Sequence, residues 1–182
     1  ELRRIVEEKC HDREGYLEAF SADFKPAGNE KLSENGVEAY RTMNTLLHVY
    51  EAYTEYLRVI KKELAGLSAS ASSDVTETCE ESVGNKMYGF DLITEMKAVE
   101  KDIRFILDII ADKIYNPALK RQEVFFDKNY YSLIDLHSYG HDIEASWLVD
   151  RGLDILDDPL YKEKIHTIND ALARHIYERA YV

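Results

Sequence analysis

Cysteine is scarce in this sequence, and no apolar run approaches the length of a membrane span. The two cysteines, Cys10 and Cys79, lie far apart and form no CxxC pair, which argues against a structural zinc site and a disulfide framework. The apolar stretches are far shorter than the ~20 residues that cross a bilayer as a helix. These absences predict a cytoplasmic protein with reduced thiols and no membrane partner.

Basic residues are also fewer than acidic residues. The sequence has 23 lysines and arginines against 35 aspartates and glutamates, which gives a formal net charge of −12. Such a charge argues against nucleic acid and anionic membrane surfaces as partners, since both are themselves negative. The length of 182 residues and the hydrophobic content of 45% are typical of one soluble domain with a sizeable core.

Apolar residues recur at the 3.6-residue period of a helix in four segments. Asn116-Pro117 is expected to end the second helix, and Pro159 suits the first position of the fourth. The pattern predicts an all-α protein built from helical hairpins. The predicted helices span about residues 37–64, 96–115, 140–156 and 159–179, after the last turns of another helix at 1–10.

Short β elements are predicted only in the connections between helices. Two short strands are predicted on either side of Lys128-Asn129, at Glu123–Asp127 and Tyr130–Ile134, and together they indicate a hairpin. A weaker alternation over Gly15–Phe20 suggests one more short strand.

Residues 66–95 differ in composition from the rest of the chain. They are rich in small, polar and acidic residues, which is typical of flexible loops. At ~30 residues the segment is much longer than an ordinary connection, so we expect a flexible insertion.

A histidine-rich run opens the third predicted helix. It reads His137-Ser138-Tyr139-Gly140-His141-Asp142-Ile143-Glu144-Ala145-Ser146-Trp147-Leu148. Glu144 follows His141 by three positions, so the two side chains share a helix face. The apolar residues around them indicate a polar patch at the edge of a core or pocket. A second polar stripe lies on the first predicted helix and consists of Asn44, His48, Glu51 and Glu55.

Several chemistries could use these histidines, and missing partners count against some of them. A metal site at His137, His141 and Glu144 lacks further ligands and the HExxH order, so no metal is expected. A serine hydrolase would need a G-x-S-x-G elbow, which is absent, and Ser138 instead suits a helix N-cap. General acid–base catalysis by His141 and a purely structural, hydrogen-bonded histidine both stay open on these grounds.

The histidine-rich run closely resembles a signature of the cellobiose 2-epimerases, within the wider N-acylglucosamine 2-epimerase family. A second match supports the resemblance in the expected order along the chain. It comprises Leu32-Ser33-Glu34-Asn35-Gly36, Thr42-Met43-Asn44-Thr45-Leu46-Leu47-His48 and Glu51-Ala52-Tyr53-Thr54-Glu55. The likeness covers nearly the whole chain except about residues 66–95, which resemble an insertion relative to the family.

The resemblance implies part of an (α/α)6 barrel, with residues 1–182 as a central fragment of its single catalytic domain. It implies cofactor-free inversion at C2 of the reducing-end sugar of β-1,4-linked disaccharides such as cellobiose, through a cis-enediolate. Catalysis is then assigned to His141, His48 and Glu144, with Glu144 orienting the group. Asn44, His48 and Glu144 are also expected to bind the sugar. The second acid/base histidine is expected beyond Val182, so the fragment alone should be inactive.

Rival interpretations remain within and outside this fold. An N-acylglucosamine 2-epimerase or a mannose-type aldose–ketose isomerase would share the barrel, and a non-catalytic sugar-binding helical protein belongs to another class. The substrate is expected to be a disaccharide or monosaccharide, and a monomer is favoured. His166 and His175 lie outside the family's motif and are assigned surface or packing roles.

Overall fold

A computed structural model describes residues 1–28, 36–73 and 79–180, and of residues 70–73 and 79–86 it describes the backbone only. Five helices and four two-residue strands lie in these ranges. The helices are α1 (Leu2–Ile5), which continues as a π-helical turn over Val6–Cys10, α2 (Met43–Ser73), α3 (Cys79–Ile109), which continues as a π-helical turn over Ile110–Ile114, α4 (Tyr139–Leu156) and α5 (Pro159–Ala180). The strands are β1 (Arg41–Thr42), β2 (Tyr115–Asn116), β3 (Arg121–Gln122) and β4 (Phe125–Phe126).

The predicted all-α class and the four long helices are confirmed, and α4 and α5 have nearly the predicted bounds. Local signals fix these two helices. Ser138 caps α4 by accepting a hydrogen bond from the backbone N–H of His141, and Pro159 occupies the first position of α5. Asp157 lies between them in the left-handed conformation and ends α4.

The prediction that residues 66–95 form a loop is wrong for the residues described. α2 extends to Ser73, and α3 already begins at Cys79. Alanine, leucine and glutamate favour helix, and a helix of this length absorbs the ~1 kcal/mol cost of Gly66. Composition indicated flexibility, but the two long helices continue through most of the segment. Residues 74–78 lie outside the described residues.

The β elements differ from the prediction because a distant strand takes part. β4 pairs antiparallel with β1, which precedes it by more than eighty residues, and this pairing delays the start of α2 from the predicted residue 37 to Met43. The predicted Tyr130–Ile134 strand contributes only a bridge from Ser132 to Phe126. A β2–β3 hairpin forms instead between α3 and α4. The predicted strand at Gly15–Phe20 is absent, and Tyr16 and Phe20 each enter an isolated bridge.

Two antiparallel hairpins, α2–α3 and α4–α5, form the body of the structure. Ser146 on α4 donates to the backbone oxygen of Asn169 on α5, and Lys162 pairs with Asp154, so these helices run in opposite directions. The hairpins meet where α2 packs against α4. The buried core between the helices is mainly aliphatic and includes Leu47, Leu57, Ile103, Ile106, Leu107, Leu148, Val149, Leu153 and Ile165.

Buried Arg41 joins the chain before α2 to the segment that follows the first helix. Its guanidinium donates to both carboxylate oxygens of Asp12 at 2.8 and 2.7 Å, and it lies 5.2 Å from the ring centroid of Tyr130. Burial alone would raise the pKa of Asp12, but the Arg41 hydrogen bonds and two backbone N–H groups lower it overall. The start of α2 is therefore held by contacts from distant parts of the chain. Among the described residues, no helix has both the length and the apolar character that a membrane crossing requires.

Candidate active site

The N-terminal ends of α2 and α4 lie side by side. Tyr50 on α2 donates to the backbone oxygen of Val149 on α4 at 3.0 Å, and Lys61 donates to that of Ile155 at 2.7 Å. Because both partners advance along the sequence together, the two helices are parallel. Each begins with a hydroxyl cap, so the polar residues of both first turns are displayed at one end of the helix pair.

Thr42 caps the N-terminus of α2 and is itself hydrogen-bonded to Glu18. Thr42 accepts from the backbone N–H of Thr45 at 3.1 Å, and its own hydroxyl donates to Glu18 at 2.9 Å. This arrangement satisfies one of the free N–H groups of the first turn. Glu18 thereby fixes the turn that carries Asn44.

Asn44 and His48 lie in the first two turns of α2. Asn44 is half-buried, and 48% of the His48 side chain is exposed. The Nδ1 of His48 lies 3.0 Å from a carboxylate oxygen of Glu51, one turn later on the same helix. This contact uses the Nδ1 of the half-exposed His48 ring and not its Nε2.

His141 and Glu144 lie in the first two turns of α4, at the same end of the helix pair. Both are half-buried. The Nδ1 of His141 is buried and has no hydrogen-bond partner in the described part of the chain. Glu144 forms no hydrogen bond or ion pair with any residue that the structure describes, so its orienting role stays a prediction.

The structure adds a polar pair that the sequence did not single out. Asp142, only 1% exposed, lies with Oδ2 2.8 Å from the Nε2 of His137 and accepts the backbone N–H of Gln122 at 3.0 Å on Oδ1. Burial raises the pKa of Asp142, and the Gln122 and His137 hydrogen bonds act in the opposite direction. The sequence placed His137 and Asp142 in the motif, but helical spacing alone does not tell which polar side chain turns inward.

Large apolar side chains of the motif are exposed beside the candidate residues. Trp147 is 54% exposed and follows Glu144 by three positions, so the two share a helix face, while Ile143 and Tyr139 are also exposed. Sugar and cofactor pockets are lined by such flat aromatic surfaces with a few polar groups among them. The predicted patch therefore exists, with Leu148 and Val149 on its core side.

The residue types at this end favour proton transfer over metal chemistry. In the described ranges, no group of three His, Cys, Asp or Glu side chains is arranged to hold a metal ion. Two imidazoles, a carboxylate and an amide can instead donate, accept and move protons near neutral pH. The positive ends of α2 and α4 also point to this end and favour negative charge that develops there.

Known proteins resemble the chain in sequence. The chain is 45% identical over 176 residues, or 97% of its length, to a cellobiose 2-epimerase from Eubacterium cellulosolvens, and covers 39% of that protein. It is 32% identical over 181 residues to a cellobiose 2-epimerase from Dictyoglomus turgidum and covers 38% of it. The chain thus spans well under half the length of these relatives. No protein-family model matches it.

Solved structures resemble the chain as well. A sugar epimerase from a ruminal bacterium matches 98% of the chain with a TM-score of 0.73 and 31% identity, over 37% of that protein. The cellobiose 2-epimerase of Bacillus thermoamylovorans matches 98% with a TM-score of 0.68 and 31% identity, again over 37% of that protein. In sequence and in fold, this all-α chain is homologous to the cellobiose 2-epimerases and corresponds to part of their (α/α)6 barrel.

Proposed function

We propose that this chain is the central part of a cellobiose 2-epimerase-like isomerase. The enzyme inverts C2 of the reducing-end residue of a β-1,4-linked disaccharide, such as cellobiose, and uses no cofactor. One observation carries the proposal: the parallel packing of α2 and α4 displays Asn44, His48, His141 and Glu144 at one end. A cytoplasmic location and a monomeric state stay predictions from the sequence.

The reaction needs a base that is neutral when the sugar binds. His141 takes the C2 proton of the open-chain aldehyde, the C–H electrons form the C1–C2 double bond, and the carbonyl oxygen becomes the anionic oxygen of a cis-enediolate. A second acid on the opposite face then returns a proton to C2, and the carbonyl reforms. This second acid is expected outside residues 1–182. Histidine is the side chain best suited to take up and release a proton near neutral pH, which this step requires.

Sugar binding and stabilisation of the enediolate fall to the α2 residues. The amide of Asn44 can donate a hydrogen bond to a sugar oxygen, which matters most when the carbonyl oxygen becomes anionic. His48 gives its Nδ1 hydrogen to Glu51, so its neutral ring can accept from a sugar hydroxyl through Nε2 and can donate from Nε2 only when the ring is protonated. Preorganised donors of this kind contribute a factor of ~10²–10³ each in related chemistry. Trp147 offers an apolar surface for the sugar ring beside Glu144.

Exchange of the C2 hydrogen with solvent tests the proposal directly. The complete enzyme that carries this chain is incubated with cellobiose in heavy water, and deuterium at C2 is measured by NMR. We expect exchange by the wild type and a loss of at least ~10²-fold in His141→Asn, because general acid–base catalysis supplies ~10²–10⁴-fold.

The matched control is His166→Asn, which makes the same change at an exposed position of α5. It should exchange at the wild-type rate. Undiminished exchange by His141→Asn would remove His141 from the mechanism. Binding of cellobiose without exchange by the wild type would favour a non-catalytic sugar-binding protein instead.

A further inference from the structure

We infer that His137 and Asp142 form a positioning pair that sets the orientation of the His141 imidazole. The inference rests on the proposed function, since it assigns these residues to the same reaction. Neither residue needs to touch the sugar. They act by fixing the backbone of the first turn of α4, from which His141 projects.

Asp142 joins three parts of the chain at the start of α4. Its Oδ1 accepts from the backbone N–H of Gln122 in β3 at 3.0 Å, and its Oδ2 lies 2.8 Å from the Nε2 of His137, which precedes the helix. A carboxylate only accepts hydrogen bonds, so Nε2 carries the hydrogen and donates when Asp142 is ionised. A buried carboxylate with two such bonds is costly to displace, because an unmade bond leaves a charge desolvated.

Aromatic contacts hold the His137 ring in place. It lies 4.2 Å from the ring of Tyr139 and is stacked on His175 of α5, with centroids 5.5 Å apart and planes inclined by 25°. The segment before α4 is thereby attached to β3, to the helix start and to α5. The sequence alone assigned no firm role to His137 and a surface or packing role to His175. These contacts place both rings in one cluster.

The orientation of His141 depends on these contacts because its own ring forms few hydrogen bonds. The Nδ1 of His141 has no partner among the described residues, and Glu144 does not reach it with a hydrogen bond there. The Ser138 cap to the His141 N–H is 3.4 Å long, near the limit for a hydrogen bond. The side-chain contacts of Asp142 are shorter, at 3.0 and 2.8 Å, and they join the 3.0 Å backbone hydrogen bond from the Asp142 N–H to Ser138 in holding this turn. A misplacement of ~1 Å at a catalytic group costs about 10²-fold in rate.

The test compares variants of the complete enzyme by kcat, KM and thermal unfolding. Asp142→Asn keeps an oxygen that can accept from Gln122 but loses the charge and turns an N–H₂ group or a weaker acceptor toward His137. We expect kcat to fall ~10–100-fold while KM stays within about twofold, since sugar-binding groups are untouched. Asp150→Asn removes a charge from an exposed position of the same helix and should leave kcat unchanged.

A second pair of variants keeps the test decisive if Asp142→Asn folds poorly. His137→Gln retains an N–H that can donate to Asp142 and should preserve kcat within about threefold. His137→Leu removes the donor and should lower kcat at least about tenfold with KM nearly unchanged. If the ring only filled space, His137→Gln and His137→Leu should lower kcat by similar factors.

The results separate this inference from the proposed function. If the wild type exchanges the C2 hydrogen and Asp142→Asn, His137→Gln and His137→Leu all retain full kcat, the positioning pair is refuted and the function stands. Equal kcat losses in the two His137 variants would also refute it. A wild type that does not exchange the C2 hydrogen refutes the proposed function, and the positioning pair with it.

Discussion

At the scale of single residues, Gly152 gives α4 its close approach to α2. A Cβ at this position would overlap the hydroxyl and ring of Tyr50, which is fully buried and hydrogen-bonded to Val149. We therefore expect Gly152→Ala to lower the free energy of unfolding by ~1–3 kcal/mol, because over-packing forces the helices apart. Urea denaturation measures the change.

Gly66 supplies the matched control for that substitution. It lies within α2, and outside its own helix backbone and chain neighbours an added Cβ would meet no described atom within 4 Å. Gly66→Ala should raise the free energy of unfolding by ~0.5–1 kcal/mol, as alanine does for glycine inside a helix. Stabilisation by both substitutions would show that the α2–α4 contact is looser than the structure has it.

The residue scale also explains what sequence reasoning could find at the site. His141, Glu144, Asn44 and His48 stood out because titratable and amide side chains lay beside apolar ones at helical spacing and matched a known signature. The His137–Asp142 contact was missed, because it depends on how α4 is rotated against its neighbours. That rotation buries Asp142 and exposes Ile143, the adjacent residue.

At the scale of elements, helices and strands were predicted well where neighbouring residues determine them and poorly where distant residues do. α4 and α5 were predicted almost to the residue because Ser138 and Pro159 mark their starts. The β1–β4 pairing was missed because each strand has only two residues, too few to show the alternation of a strand. The two strands are also far apart in sequence. The helical ends at residues 66–73 and 79–95 were missed because a helix with little burial shows no apolar stripe, and none of the described side chains at residues 66–69 and 87–95 is buried.

The weak packing of that segment leads to an amide-exchange prediction. None of the described side chains at residues 66–69 and 87–95 is buried, and Met87 and Phe90 are each 68% exposed. Helices with few buried contacts open locally at low free energy. We therefore propose that amides of residues 87–95 exchange at least about tenfold faster than those of residues 99–107, a difference of ~1.4 kcal/mol.

The comparison is internal to α3, because Val99, Ile103 and Leu107 on its second half are all fully buried. Hydrogen exchange followed by mass spectrometry or NMR measures both halves in one experiment. Uniform protection along the whole of α3 would contradict the mobile insertion expected from the sequence.

At the scale of the whole molecule, the candidate site is open to solvent. About half of the surface of His48 and of Trp147 is exposed, and the chain covers only 39% of its relative from Eubacterium cellulosolvens. Preorganised hydrogen bonds stabilise an enediolate strongly only where water is excluded. The parts of the relatives that this chain does not match are therefore expected to cover the site and to supply the second acid.

This openness predicts that the 182-residue chain by itself is folded but inactive. Its buried core and paired hairpins should give a helical circular-dichroism spectrum and a cooperative unfolding transition. Epimerisation of cellobiose, measured by chromatography, should stay at the level of the same chain carrying His141→Asn. A single imidazole can return the C2 proton only to the face from which it took it, and that restores the starting configuration. The complete enzyme, assayed in parallel, should turn over. Turnover by the isolated chain above that control would show that both proton-transfer groups lie within residues 1–182, and His48 would then be the first candidate for the second acid.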